Sequence, residues 1–260
     1  MGKLFDLDSP LMTALSRMAD LIGLNFLVLL FFVPGLAVFA ATISLKFPVV
    51  LVIALTWAAS LLLGPAFTAM HYCLLKMVRN EDGYLVKGFF KSFRENFKQA
   101  IVLAALVITV TALFAGDLYL LSTDNLSSFP TVLRIMLLVT MIYLFMVSLW
   151  IFPLEARFVN TIFTTLKNAF FVSVLAFPRT LGMAGMTLLP VILYYFFSLR
   201  LLPILLMFGF SGPGYVCAYL YSKVFKRFEP EEENTDTELK EILTDDVLPG
   251  EQEEGGNADD

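Results

Sequence analysis

The chain of 260 residues is 58% hydrophobic and only 16% charged, with a mean hydropathy of +0.78, whereas soluble domains run about 45–50% apolar and about 25% charged. That excludes an ordinary water-soluble fold: a chain of this size cannot hide so much apolar surface, so the bilayer has to be its solvent. The net charge of −5 says nothing by itself about partners, because residues 229–260 carry fourteen acids against one lysine while residues 1–228 carry seventeen cations against nine acids.

In chain order, Ser9-Pro10 reads as a helix cap followed by proline at the first helical position. Leu11, Leu15 and Met18 recur at helical spacing, so residues 10–18 are expected to form a short helix at the membrane face. The first apolar run is too long for a cleavable leader and more follow it, so no leader is expected. Spans are predicted at about 20–41, 47–75, 99–121 and 133–155, each near the roughly 20 residues that cross a hydrocarbon core about 30 Å thick. Residues 161–177 are short and carry Lys167 mid-way, and are not expected to cross. From Leu181 to Ser222 the one charge is Arg200, and a split at Arg200 and Pro203 predicts two more spans, at 181–199 and 203–222. The expectation is an all-α integral membrane protein with about six transmembrane helices and short interfacial amphipathic helices. Residues 1–228 form its helical membrane domain. The tail at 229–260 has too few large apolar side chains to offset its ordering entropy and is expected to be disordered.

Lysine and arginine favour the cytoplasmic side of a membrane. With the N-terminus inside, six spans put fifteen cations in cytoplasmic segments and three outside, namely Lys46, Arg134 and Arg200. Both termini are therefore expected in the cytoplasm.

Between spans two and three, Val86, Phe89, Phe90, Phe93 and Phe97 share one helical face, and Lys87, Lys91, Arg94 and Lys98 share its neighbour. The pattern predicts a helix in the inner interface, with rings in the acyl boundary and cations among anionic headgroups. Besides anchoring the flanking spans, such a helix is a candidate contact for a cytoplasmic partner. A nucleic-acid role is set aside, since the aromatics are committed to lipid. Phe170-Phe171-Val172-Ser173 echoes Phe89-Phe90-Lys91-Ser92 and hints at a second, weaker copy.

In span six, Gly209, Gly212, Pro213 and Gly214 are expected to break or kink the helix near mid-membrane, where irregular backbone is tolerated only if protein or a cavity covers it. No acid falls firmly at the bilayer centre. His71 is the one histidine, which leaves a metal cluster or a serine–histidine pair without partners. Cys73 and Cys217 sit in apolar stretches and read as buried thiols. No catalytic, cofactor or metal residues are assigned, and the chain is not expected to be an enzyme.

Residues 64–100 carry a family resemblance. Gly64-Pro65-Ala66, Ala69, Tyr72, Lys76, Arg79, Glu81, Gly83-Tyr84, Phe89-Phe90, Ser92-Phe93 and Asn96-Phe97-Lys98-Gln99-Ala100 together resemble the YesL-like family of bacterial membrane proteins, a family of unknown function. Pro10-Leu11, Asp20-Leu21, Leu24-Asn25, Phe208-Gly209-Phe210-Ser211, Tyr215 and Phe225 extend the similarity across about residues 5–228. The resemblance implies a multi-pass protein of the bacterial plasma membrane, associated with sugar uptake systems, and brings no catalytic residues. The reading is a non-enzymatic accessory or regulatory partner of carbohydrate-transporter subunits. A small-solute transporter with its site at the broken sixth span is the alternative. The sequence leaves the oligomeric state open.

Overall fold

The structure is a computed structural model, and it describes residues 10–81, 83–122 and 131–228. The expected Ser9 cap and the acidic tail at 229–260 lie outside the described residues. Contacts group the chain into two compact units, residues 1–223 and 224–260. Among the described residues of the second, Arg227 N–H closes on Val224 O at 3.0 Å and Phe228 N–H on Phe225 O at 2.8 Å.

The described residues form helices and no strands. Helix α1 runs Pro10–Ser44 without interruption, so the short helix expected at 10–18 and the first span are one element. The reason is local: Arg17-Met18-Ala19 are good helix formers, and nothing between Pro10 and Pro34 breaks the pattern. The second pass is α2, Val49–Ser60, followed by α3, Leu63–Arg79. They part at Leu61-Leu62, four residues before Pro65. Proline cannot donate the helical hydrogen bond, and its ring would strike the carbonyl of Leu61 in a regular helix. Helix α3 ends at Asn80, whose left-handed backbone (φ 56°) turns its N–H back onto Lys76 O and Met77 O.

Then follow α4, Leu85–Glu95, and α5, Phe97–Ser122, separated by Asn96 alone. Helix α6 covers Thr131–Arg157, and α7 covers Ile162–Leu175, started by the Thr161 hydroxyl, which accepts from Thr164 N–H at 3.3 Å. Helix α8 covers Phe177–Phe197. After a tight turn at Ser198–Leu201 come α9, Leu202–Phe208, and α10, Ser211–Phe225.

Five helical runs are long and apolar enough to cross a bilayer: Leu11–Ser44, Val49–Arg79, Phe97–Leu121, Thr131–Arg157 and Phe177–Phe197. Helices α9 and α10 pass as a sixth, bent by 44°. The 14 residues of α7 rise only about 21 Å at 1.5 Å each, short of a core about 30 Å thick. Side chains such as Val50, Ile135 and Tyr195 are exposed at 78%, 57% and 81% along these runs. Contiguous apolar surface of that kind meets lipid rather than water.

Within residues 1–223, α3 is the hub, packing on α1, α4, α5 and α6. Small residues let it approach closely. A Cβ added at Gly64 would lie 2.3 Å from Ala100 O and 2.6 Å from Ala104 Cβ, so at this crossing only a hydrogen fits between α3 and α5. Ala66, Ala69 and Leu74 of α3, Leu103 of α5, and Trp150 and Leu154 of α6 build the buried core.

Candidate functional site

Helix α4 connects two spans at the end of the bundle where α3 and α6 finish and α5 and α8 begin. Its aromatic stripe, expected to lie in the acyl boundary, packs in part on α1. Phe89 has no exposed surface. Phe93 stacks on Phe31 of α1 with ring centroids 4.7 Å apart, and Phe89 sits 6.3 Å from the same ring. The helix stops at Asn96, so Phe97 and Lys98, expected on the same helix, open α5 instead. Phe97 still lies 5.6 Å from Phe93, and Phe90 meets Phe89 edge-on at 5.6 Å. Phe89 and Phe93 therefore face α1, which is long enough to bring Phe31 over them, while Phe90, Phe93 and Phe97 keep partial exposure. Lys87, Lys91, Arg94 and Lys98 remain exposed on the other side. Lys91 lies 4.0 Å from Glu95, a solvent-exposed pair of little energetic weight.

The second copy hinted at by Phe170-Phe171 adopts the same local geometry. Its rings meet edge-on at 5.7 Å, and Ser173 is buried as Ser92 is. Both short helices lie between two spans, and both join the next span through one residue. Phe170 and Phe171 nevertheless stay about half exposed.

Beside α4 lies a groove of about 630 Å3. Thr13, Ser16, Arg17 and Asp20 form its α1 wall, Tyr72 and Lys76 its α3 wall, and Lys87, Gly88 and Lys91 its α4 wall, with Glu81 and Tyr84 at the connection. The Arg17 guanidinium donates to Asn80 Oδ1, tying α1 to the end of α3. Lys76 sits 5.2 Å over the Tyr72 ring. Sequence reading missed Arg17 and Lys76 as neighbours of α4. Contacts across 63 residues leave no periodic trace.

A second cavity, about 240 Å3, opens between α4, the start of α5, the end of α6 and the connection that follows it. Glu155, near the end of α6, is 5% exposed. The Gln99 amide donates to Glu155 Oε2 at 2.8 Å and to Asn160 O at 2.7 Å, and the Thr165 hydroxyl donates to the same carboxylate oxygen at 3.3 Å. Tyr72, Ser92, Glu95 and Asn96 also line it. This polar knot clasps the α6–α7 connection to the start of α5.

The bend in span six falls at Gly209-Phe210, and Gly212, Pro213 and Gly214 do not break the helix. They form the first turn of α10, where proline costs no hydrogen bond because those N–H groups have no intrahelical partner. The backbone groups freed at the bend go to Asn25 of α1, which is wholly buried. Its Nδ2 donates to Leu206 O at 2.7 Å, and its Oδ1 accepts from Phe210 N–H at 2.8 Å and Ser211 N–H at 3.1 Å. Gly214 then packs on α3, where a Cβ would lie 2.8 Å from Leu74 Cδ1.

His71 and Tyr221 link α3 to α10. The ring nitrogen and the phenol oxygen are 3.3 Å apart, and the rings meet edge-on. Cys73 and Cys217 are free and buried. Among the described residues no group of three His, Cys, Asp or Glu side chains is placed to hold a metal ion.

Residues 21–118 match the model of a family described as a protein of unknown function, DUF624. No curated protein and no solved structure matches the chain. The matched stretch is less than half of the chain. It takes in Asn25, Phe31, all of α3 and α4, and Gln99. It stops short of Glu155 and of the bend that Asn25 caps, and it begins after Arg17.

Proposed function

We propose that the protein is a non-enzymatic accessory or regulatory protein of the bacterial plasma membrane, with both termini in the cytoplasm, that engages a transport partner through α4. The observation that carries this reading is how α4 is mounted. Phe89 and Phe93 are held against Phe31, so the helix is a fixed shelf that presents Lys87, Lys91 and Arg94 outward, with Lys98 exposed in the first turn of α5. An amphipathic helix between two spans, apolar side docked and basic side free, suits contact with an acidic surface. The resemblance to the YesL-like family directs the choice of partner to subunits of carbohydrate uptake systems. A small-solute transporter with its site at the bent sixth span is the alternative. It needs unpaired backbone at the bend, and Asn25 already takes three of those groups.

Affinity purification of the tagged full chain in mild detergent tests the proposal. Transporter subunits are expected with the native chain. They are expected to be lost from the Lys87→Glu, Lys91→Glu, Arg94→Glu triple variant, which still inserts into the membrane. Equal recovery with the triple variant would sink the α4 contact. A lone oligomer that retains a bound solute would favour the transporter.

A further inference from the structure

We propose that the groove between the start of α1, the end of α3 and α4 is a binding site for a phosphate ester, supplied by the headgroup of an anionic phospholipid. Three separate elements bring cations to this one cavity: Arg17 from α1, Lys76 from α3, and Lys87 with Lys91 from α4. Like charges gathered on facing walls repel one another, and an anion between them reverses the sign of that interaction. Asp20 and Glu81 also line the groove, so among the described residues four lining cations against two acids leave +2. That balance suits a phosphodiester with a single negative charge better than a polyanion. The volume of about 630 Å3 is far more than one phosphate needs, and it falls within the range of about 300–1,000 Å3 usual for small-molecule sites.

The donors are pre-positioned. Asn80 holds the Arg17 guanidinium through one contact, and a guanidinium has further N–H donors in a fork that matches two phosphate oxygens. Lys76 is kept over the Tyr72 ring.

The α1 wall identifies the source of the phosphate. Thr13, Ser16, Arg17 and Asp20, at i, i+3, i+4 and i+7, line the groove. Leu11, Leu15 and Met18, on the other side of the same turns, are each about half exposed. A helix that turns an apolar face outward and a polar face onto a basic cavity lies at the boundary between acyl chains and headgroups. Basic pockets at that depth take lipid headgroups. The site goes beyond the partner contact proposed for α4, because Arg17 and Lys76 have no part in that contact.

The test uses the delipidated full chain in non-ionic detergent, with native mass spectrometry and apparent melting midpoint as readouts. Phosphatidylglycerol is compared with glycerol 3-phosphate, which has the phosphate but no acyl chains. Retained phosphatidylglycerol adducts and a raised midpoint are expected for the native chain and for an Arg94→Gln, Lys98→Gln control. Both effects are expected to be lost in the charge-matched Arg17→Gln, Lys76→Gln variant. A raised midpoint with glycerol 3-phosphate alone, lost in the same variant, would support phosphate binding and overturn the lipid source. Adducts that persist equally in Arg17→Gln, Lys76→Gln, or that never form on the native chain, would overturn the site.

Discussion

At the scale of single residues, Asn25 and Gly64 do most to define the membrane domain. A bend inside an apolar span leaves backbone groups with no water to take them, and each buried orphan costs about 1–3 kcal/mol. Asn25 answers three such groups with one side chain, and its amide orientation follows from them: the NH2 must meet Leu206 O and the oxygen must meet the two N–H groups. Hydrogen bonds between membrane helices measure nearer 0.6 kcal/mol on average, up to about 1.7, because the separated helices find other partners. Asn25→Leu is therefore expected to destabilise by about 1–3 kcal/mol, read as a lower apparent melting midpoint in detergent. Asn25→Asp should do no better while its side chain is ionised, since a carboxylate cannot donate to Leu206 O. An unchanged midpoint in Asn25→Leu would mean that the bend is satisfied elsewhere.

Two glycines permit a sharper comparison. At Gly64 an added methyl meets the Ala100 carbonyl and the Ala104 Cβ, neither of which can move without shifting α5. At Gly214 it meets the end of Leu74 and, at 3.4 Å, the flexible Met70 Cε. Overpacking costs typically about 1–3 kcal/mol. Gly64→Ala is expected at or above the top of that range and Gly214→Ala near its bottom. Melting midpoints of the two variants in the same detergent check the order, and the reverse order would contradict the α3–α5 contact.

At the scale of elements, α4 shows how far sequence reading carries and where it stops. Spacing put Phe89, Phe93 and Phe97 on one face and the cations on the next, but it did not show that the helix stops at Asn96, before Phe97 and Lys98. It did not say what the rings touch, because lipid tails and a protein interior are equally apolar and impose the same periodicity. The partner, Phe31, is more than fifty residues away on a helix that gave no separate signal. Span six has a related history. The glycine and proline cluster announced an irregularity, but its position depended on where proline is tolerated, and its cap came from Asn25, 185 residues from Phe210. A polar Asn within an apolar run was the one available hint. The burial of Glu155 was illegible for a similar reason: it depends on Gln99 and Thr165, on two other helices. The stacking of α4 on α1 predicts a coupling in a double-mutant cycle of Phe31→Leu and Phe93→Leu. About 0.5–1.5 kcal/mol is expected beyond the sum of area losses. Faster amide exchange confined to α4 should accompany either change. Additive effects would mean that α4 is held by its flanking spans alone.

At the scale of the whole molecule, the proposed orientation rests on charge placement, and the acidic tail offers a way to separate two explanations of it. If net charge decided which end stays inside, the fourteen acids of residues 229–260 would matter a great deal, since the proposed orientation puts them on the same side as most of the cations. If lysine and arginine near the span ends decide it, acids contribute little and the tail is irrelevant. The cations that remain after its removal still crowd one end: Arg17, Lys76, Arg79 and the α4 row, against Lys46, Arg134 and Arg200 at the other. A chain ending at Phe228 is therefore expected to insert as the full chain does. A reporter fused after Phe228 should read cytoplasmic in both, and one inserted at Ser127 should read as exported in both. Reversal on truncation would show that net charge sets the topology. A Phe228 fusion that reads as exported even in the full chain would invert the proposed orientation and place the groove and the basic face of α4 outside the cell.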